Sequence, residues 1–162
     1  EGESDAYRSL TDPVSHRRRV LFVESRFWIV VDDLDAVGTH HIDLRFQFAP
    51  VDVAAMDGAW IRATAGGTRG LLLRAFAPDS FAPRICSGGR EPMEGWVSRH
   101  YGRMEPAPAV VFSATAKLPI RIATVLWPAE DVTEAPDVNT IDGADGRPAG
   151  IRVGERTVMF ET

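Results

Sequence analysis

Apolar and polar positions alternate most clearly in HIDLRFQF, where Ile42, Leu44, Phe46 and Phe48 are interleaved with Asp43, Arg45 and Gln47. A period of two puts alternate side chains on opposite faces, so this stretch predicts a strand with its apolar set in a core. Upstream, RRVLFV (18–23) and FWIVVDD (27–33) are rich in β-branched and aromatic residues and are bounded by turn residues. The three stretches together predict an antiparallel meander. AWIRATA (59–65) and GLLLRAF (70–76) flank Gly66 and Gly67 and predict a hairpin. AVVFSATA (109–116) and PIRIATVLW (119–127), joined near KLP, predict another, and NTID (139–142), GIRV (150–153) and TVMF (157–160) add short strands. Only DVAAMDG (52–58) suits a helical turn. Short strands separated by turn chemistry, with no sustained helical period, predict an all-β fold: a single antiparallel β-sandwich domain over residues 1–162.

Composition narrows the partners. A chain of 162 residues with 44% apolar and 25% charged residues can bury one real core. The net charge of -5 argues against nucleic acid or an anionic membrane as the main partner, although arginines cluster locally. The longest apolar runs, such as FWIVV, are too short for a membrane-spanning helix. The single cysteine, Cys86, forbids an internal disulfide and reads as a small buried apolar group. The chain opens EGESDAY, without Met and with no recognisable signal peptide. It is therefore expected to be a fragment of a longer protein, with EGESDAYRSL at the margin of the sheets.

Chemistry is sparse. His40 and His41 are adjacent, so on a strand they point to opposite faces and cannot chelate one ion; parity with Ile42 puts His40 inward and His41 outward. Asp32, Asp33 and Asp35 lack a glycine-punctuated calcium loop and read as solvated carboxylates at a strand end. Arg17, Arg18 and Arg19 read as a solvated strand start that could lend one cation to a groove. No nucleophile elbow and no phosphate loop is present; GGTRG lacks the Lys-Ser/Thr ending.

GWVSRHYGRMEPAP (95–108), read as a loop, concentrates the remaining candidates. Arg99, His100, Tyr101 and Arg103 are candidate substrate-binding residues, and Trp96 is a candidate structural anchor, largely buried. Cations and a phenol are the groups that neutralise a uronate and move protons in β-elimination. The simpler reading is structural: Trp96 covers one end of the sandwich, and Tyr101 with Gly102 makes a corner.

An ordered series of small motifs carries a resemblance over residues 9–128. It comprises the HRR stretch, W-x-V-x-D, H-x-x-D-L-x-F-x-F-x-P, G-W-x-S-x-x-Y-G and LP. In these the chain resembles the C-terminal domain of heparinase II/III-like polysaccharide lyases. The resemblance implies that the β-sandwich is joined to an N-terminal (α/α) toroid in the parent chain. It further implies cleavage of acidic, uronate-containing polysaccharide by β-elimination in the cleft between them, and a periplasmic or secreted location. The toroid's Asn, His and Tyr, and the H-x-H-x-D and A-H-N stretches that begin the family's β-domain, have no counterpart in these residues. The fragment is therefore expected to hold no metal or cofactor and to be inactive alone, a divalent metal such as zinc belonging to the full-length parent. The alternative is a non-catalytic carbohydrate-binding or purely structural β-sandwich.

Overall fold

The computed structural model describes residues 1–4, 6–77 and 81–160. In chain order the strands are β1 (Gly2–Ser4), β2 (Ser15–Val23), β3 (Phe27–Asp35), β4 (Thr39–Gln47), β5 (Asp52–Ala55) and β6 (Ile61–Thr64). There follow β7 (Gly70–Phe76), β8 (Ala82–Cys86), β9 (Gly89–Arg90), β10 (Met93–Glu94), β11 (Trp96–His100) and β12 (Arg103–Pro106). The last are β13 (Ala109–Lys117), β14 (Ile120–Ala129), β15 (Val138–Asp142), β16 (Pro148–Val153) and β17 (Arg156–Met159). The pairing is antiparallel throughout, as an all-β sequence built on short turns requires.

A seven-stranded sheet, β1-β2-β3-β14-β7-β6-β5, forms the middle layer. One of its faces packs Phe27, Ile29, Val31, Leu72 and Val125 against Val138, Ile151 and Val153 of the β15-β16-β17 sheet. The other face packs Ile61, Leu73, Ala75, Ile120 and Ile122 against Leu44, Val110 and Phe112 of the β4-β13-β8 sheet. Alternation of side chains along each middle strand supplies one apolar set to each core, so the sandwich has three layers.

The period-two strand behaves as its pattern requires. Leu44 is buried, Ile42, Phe46 and Phe48 pack against the second core, and Arg45 and Gln47 face outward. Its predicted partner is corrected: β4 pairs with β13, not β3, so the meander ends at β3. Residues 36–38 carry the chain from one sheet to the next, because β14 already occupies the second edge of β3. The predicted hairpin of β13 with β14 is corrected for the same reason. The two strands are consecutive but belong to facing sheets, and Leu118 and Pro119 bridge the layers. The β6–β7 hairpin is present, with the Thr64 hydroxyl accepting from the Gly66 N–H inside its turn. The helical turn is confined to a 3-10 turn at Asp57–Ala59; Asp52–Ala55 is an edge strand instead.

Candidate functional site

The reading of Asp32 and Asp33 as solvated carboxylates is overturned. Asp32 is only 2% exposed. It receives the Arg18 guanidinium through two hydrogen bonds, 2.6 and 3.0 Å, and lies 2.7 Å from His16 Nε2. Asp33 points to the opposite face and collects Arg19 at 2.8 Å, Arg17 at 3.3 Å and Arg121 at 2.5 Å. The arginine run is thus a set of cross-strand partners, not a solvated strand start. Burial alone would push the Asp33 carboxyl up, but Arg121 and Arg19 outweigh it and hold it below the usual carboxylate range. The hydrogen bond to Asp32 keeps Arg18 firmly charged. Asp32 is thus held by one guanidinium and Asp33 by three. The signal for this network was in the sequence. Counting outward from the turn at Ser25 brings Arg18 opposite Asp32 and Arg17 opposite Asp33.

A cleft of about 490 Å³ lies where the β2–β3 flank meets β4. His16, Arg18 and Asp32 line one side and His40 the other, over an apolar floor that includes Leu34 and Ile122. His40 turns inward, 2.9 Å from Asp12, while His41 faces out, as strand parity requires. The outer face of the β4-β13-β8 sheet carries a second ionic cluster. Glu94 accepts from Arg84 at 2.7 Å and from Arg45 at 2.9 Å, and these two bonds hold its carboxyl at about 2. Asp43 accepts from the Ser113 hydroxyl at 2.6 Å and from Arg45 at 3.1 Å, and its carboxyl is lowered, by the Ser113 bond first. Cys86 is half-buried with its thiol toward the Ala109 carbonyl at 3.5 Å, and burial raises its pKa, so it is not an activated thiolate.

The stretch 95–108 is not a loop but a hairpin, β11 with β12, turning at Tyr101 and Gly102. Gly95 sets its base. The residue has φ +70, and a Cβ there would lie 2.6 Å from the Cys86 carbonyl oxygen. Its carbonyl accepts from both Gly88 and Ala107 N–H groups. Trp96 is half-buried, less than expected, and its indole N–H donates to the Gly89 carbonyl at 2.7 Å. Arg99, His100, Tyr101 and Arg103 are all exposed, and Tyr101 stands fully in solvent at the tip. Arg99 pairs with Glu105, which lies on the adjoining strand, and His100 sits opposite Arg103. The bond to Arg99 lowers the Glu105 carboxyl. None of these four candidates lines the cleft at His16 and Arg18. Among the described residues no three His, Cys, Asp or Glu side chains converge.

Antiparallel strands stacked in three layers around two apolar cores define the class of the fold, a β-sandwich. The chain belongs to the family described as Heparinase II/III-like, C-terminal, whose sequence model matches residues 1–140. Among solved structures it is similar to a heparinase III, the BT4657 gene product, with a TM-score of 0.77 and 18% identity over 99% of this chain and 25% of that one. A second heparinase III crystal structure gives 0.76 and 17%, covering 98% and 24% of the two chains. Heparan sulfate lyase HepC from Pedobacter heparinus gives 0.72 and 16%, covering 91% and 23%. At these identities the likeness is one of fold, and the chain spans about a quarter of each solved chain. Among curated proteins none matches significantly.

Proposed function

We propose that this chain is the C-terminal β-sandwich part of a polysaccharide lyase that cleaves acidic, uronate-containing polysaccharide by β-elimination. In this reading it supports a catalytic (α/α) toroid of the same parent chain and borders the substrate cleft. The observation that carries it is the family match over residues 1–140, joined to a fold likeness spanning nearly the whole chain. The neighbours named as heparinase and heparan sulfate lyase make a sulfated glycosaminoglycan the first substrate class to assay, with alginate as the comparison. The exposed edge of Arg99, His100, Tyr101 and Arg103 is the proposed glycan contact. Cations there can meet carboxylate or sulfate, and a Tyr ring can stack on a sugar. The base, the proton donor and any divalent metal are supplied by the rest of the parent, which an exported location would suit.

The test is an ultraviolet assay for the unsaturated uronate product. The full-length parent should generate it from heparan sulfate, heparin or alginate, and the isolated 162-residue chain from none of them. Product from the isolated chain, or none from the parent on any uronate polymer, overturns the proposal.

A further inference from the structure

A pocket of about 400 Å³ lies between the β2–β3 turn and the β16–β17 turn, at the margin of the first core. Its inner wall is apolar. Trp127, half-buried near the end of β14, rests on Phe27 with ring centroids 4.9 Å apart, and Pro136 and Val153 continue the wall. Its rim carries two guanidiniums, Arg26 and Arg156, and two carboxylates, Asp137 and Glu155. The backbone holds that rim in place. The Arg26 N–H donates to the Val23 carbonyl at 2.9 Å, and the Gly154 N–H donates to the Asp137 carbonyl at 3.0 Å. Arg156 pairs with Glu24, which ties one turn to the other.

Hydrogen-bonding capacity is left over inside this frame. Trp96 spends its indole N–H on the Gly89 carbonyl, but among the described residues the indole N–H of Trp127 has no acceptor, and neither has the Arg26 guanidinium. Asp137 accepts from the Asn139 amide through one oxygen, at 2.9 Å, and leaves the other open. An aromatic wall beside free donors and an open carboxylate suits a sugar. The C–H face of a pyranose packs on an indole, and its hydroxyls both donate and accept, so they satisfy a carboxylate and a guanidinium together. Carboxylates equal guanidiniums on the rim, which gives a phosphate or sulfate no net attraction. An apolar ligand would strip water from the rim without replacing its hydrogen bonds.

We propose that this pocket is a subsite for one pyranose unit of a saccharide chain, with Trp127 against the ring and Arg26 and Asp137 on its hydroxyls. It is separate from the β11–β12 hairpin, since Arg99, His100, Tyr101 and Arg103 do not line it. It reads ring and hydroxyls rather than acidic groups. A glycan held there is anchored to the domain without any bond being made or broken.

The test uses the full-length parent and a neutral probe: a heparan hexasaccharide with its sulfates removed and its uronate carboxyls reduced. β-Elimination needs the carboxyl to acidify the adjacent C–H, so the probe is not cleaved and the result is independent of the lyase assignment. In hydroxyl-radical footprinting read by mass spectrometry, the probe should slow oxidation of Trp127 at least about threefold, because a bound ligand is largely enclosed. Tyr101 should oxidise at an unchanged rate. In titration calorimetry, Arg26→Ala and Asp137→Ala should each weaken binding about tenfold, the loss expected when a hydrogen bond to a charged group is removed. Both side chains are exposed, so the melting temperature should hold. Added salt should change the affinity by less than about twofold. Absence of probe binding overturns the proposal, as do rim variants that bind like wild type. So does a Trp127 already protected in the parent without saccharide, or binding confined to the sulfated, uronate form and lost in salt.

Discussion

At the scale of single residues, the ionic groups divide by what their partners do to them. Glu94 is the clearest. Its folded-state value of about 2 lies below the ordinary 4.5 because Arg84 and Arg45 both bond its carboxylate. As acid is added, the unfolded chain therefore takes up this proton first. The stabilisation is complete above about 4.5 and is lost as pH falls toward 2. Glu94→Gln should flatten the fall in stability over that window, measured by urea unfolding at a series of pH values; an identical acid profile in the variant would remove Glu94 from the account. Strand parity made the opposed directions of His40 and His41 legible from sequence, since alternation is a property of one strand. Asp32 and Asp33 were misread because their environment comes from neighbours across the sheet. Composition at a strand end says nothing of a partner strand until its register is counted from the turn.

At the scale of elements, local pattern identified most strands and failed at their pairing. β6 with β7 was legible because a short Gly-rich turn fixes the partner. β3 with β4, and β13 with β14, were not, because an equally short connection can fold back in the same sheet or cross to the facing one. What decides is which edges are already taken, and that is a property of the whole sheet. The β11–β12 hairpin was missed as an element because its residues are mostly polar and exposed, leaving little alternation to read. Its anchoring is nonetheless written in Gly95-Trp96. Gly95→Ala adds a side chain in the left-handed region and against the Cys86 carbonyl. It should cost at least about 1–2 kcal/mol in chemical unfolding, while Tyr101→Phe at the solvent-exposed tip should leave stability unchanged. Equal stability of both variants with wild type would show that the hairpin base is not held as described.

At the scale of the whole molecule, the surface combines a net charge of -5 with an uncovered apolar flank formed by Val20, Phe22 and Trp28. The charge favours solubility and opposes close approach of copies, whereas the flank favours burial against whatever strand is near. Charge repulsion between surfaces is weakened by salt, but the apolar attraction is not. Separated from any longer chain, these 162 residues should therefore self-associate, and more strongly as salt is raised. The double substitution Val20→Lys and Phe22→Lys places two cations on the exposed face of β2 and breaks up its apolar patch. It should return the isolated chain to a monomer in sedimentation velocity. Trp28 would lose its stacking partner, so a small drop in stability is expected alongside. Association that persists unchanged in the double variant would place the sticky surface elsewhere, on the free edges of β5 or β8, which share the property of being unpaired among the described residues. Association that weakens with added salt would instead mark it as ionic, with the arginines of the β11–β12 hairpin as the first groups to substitute.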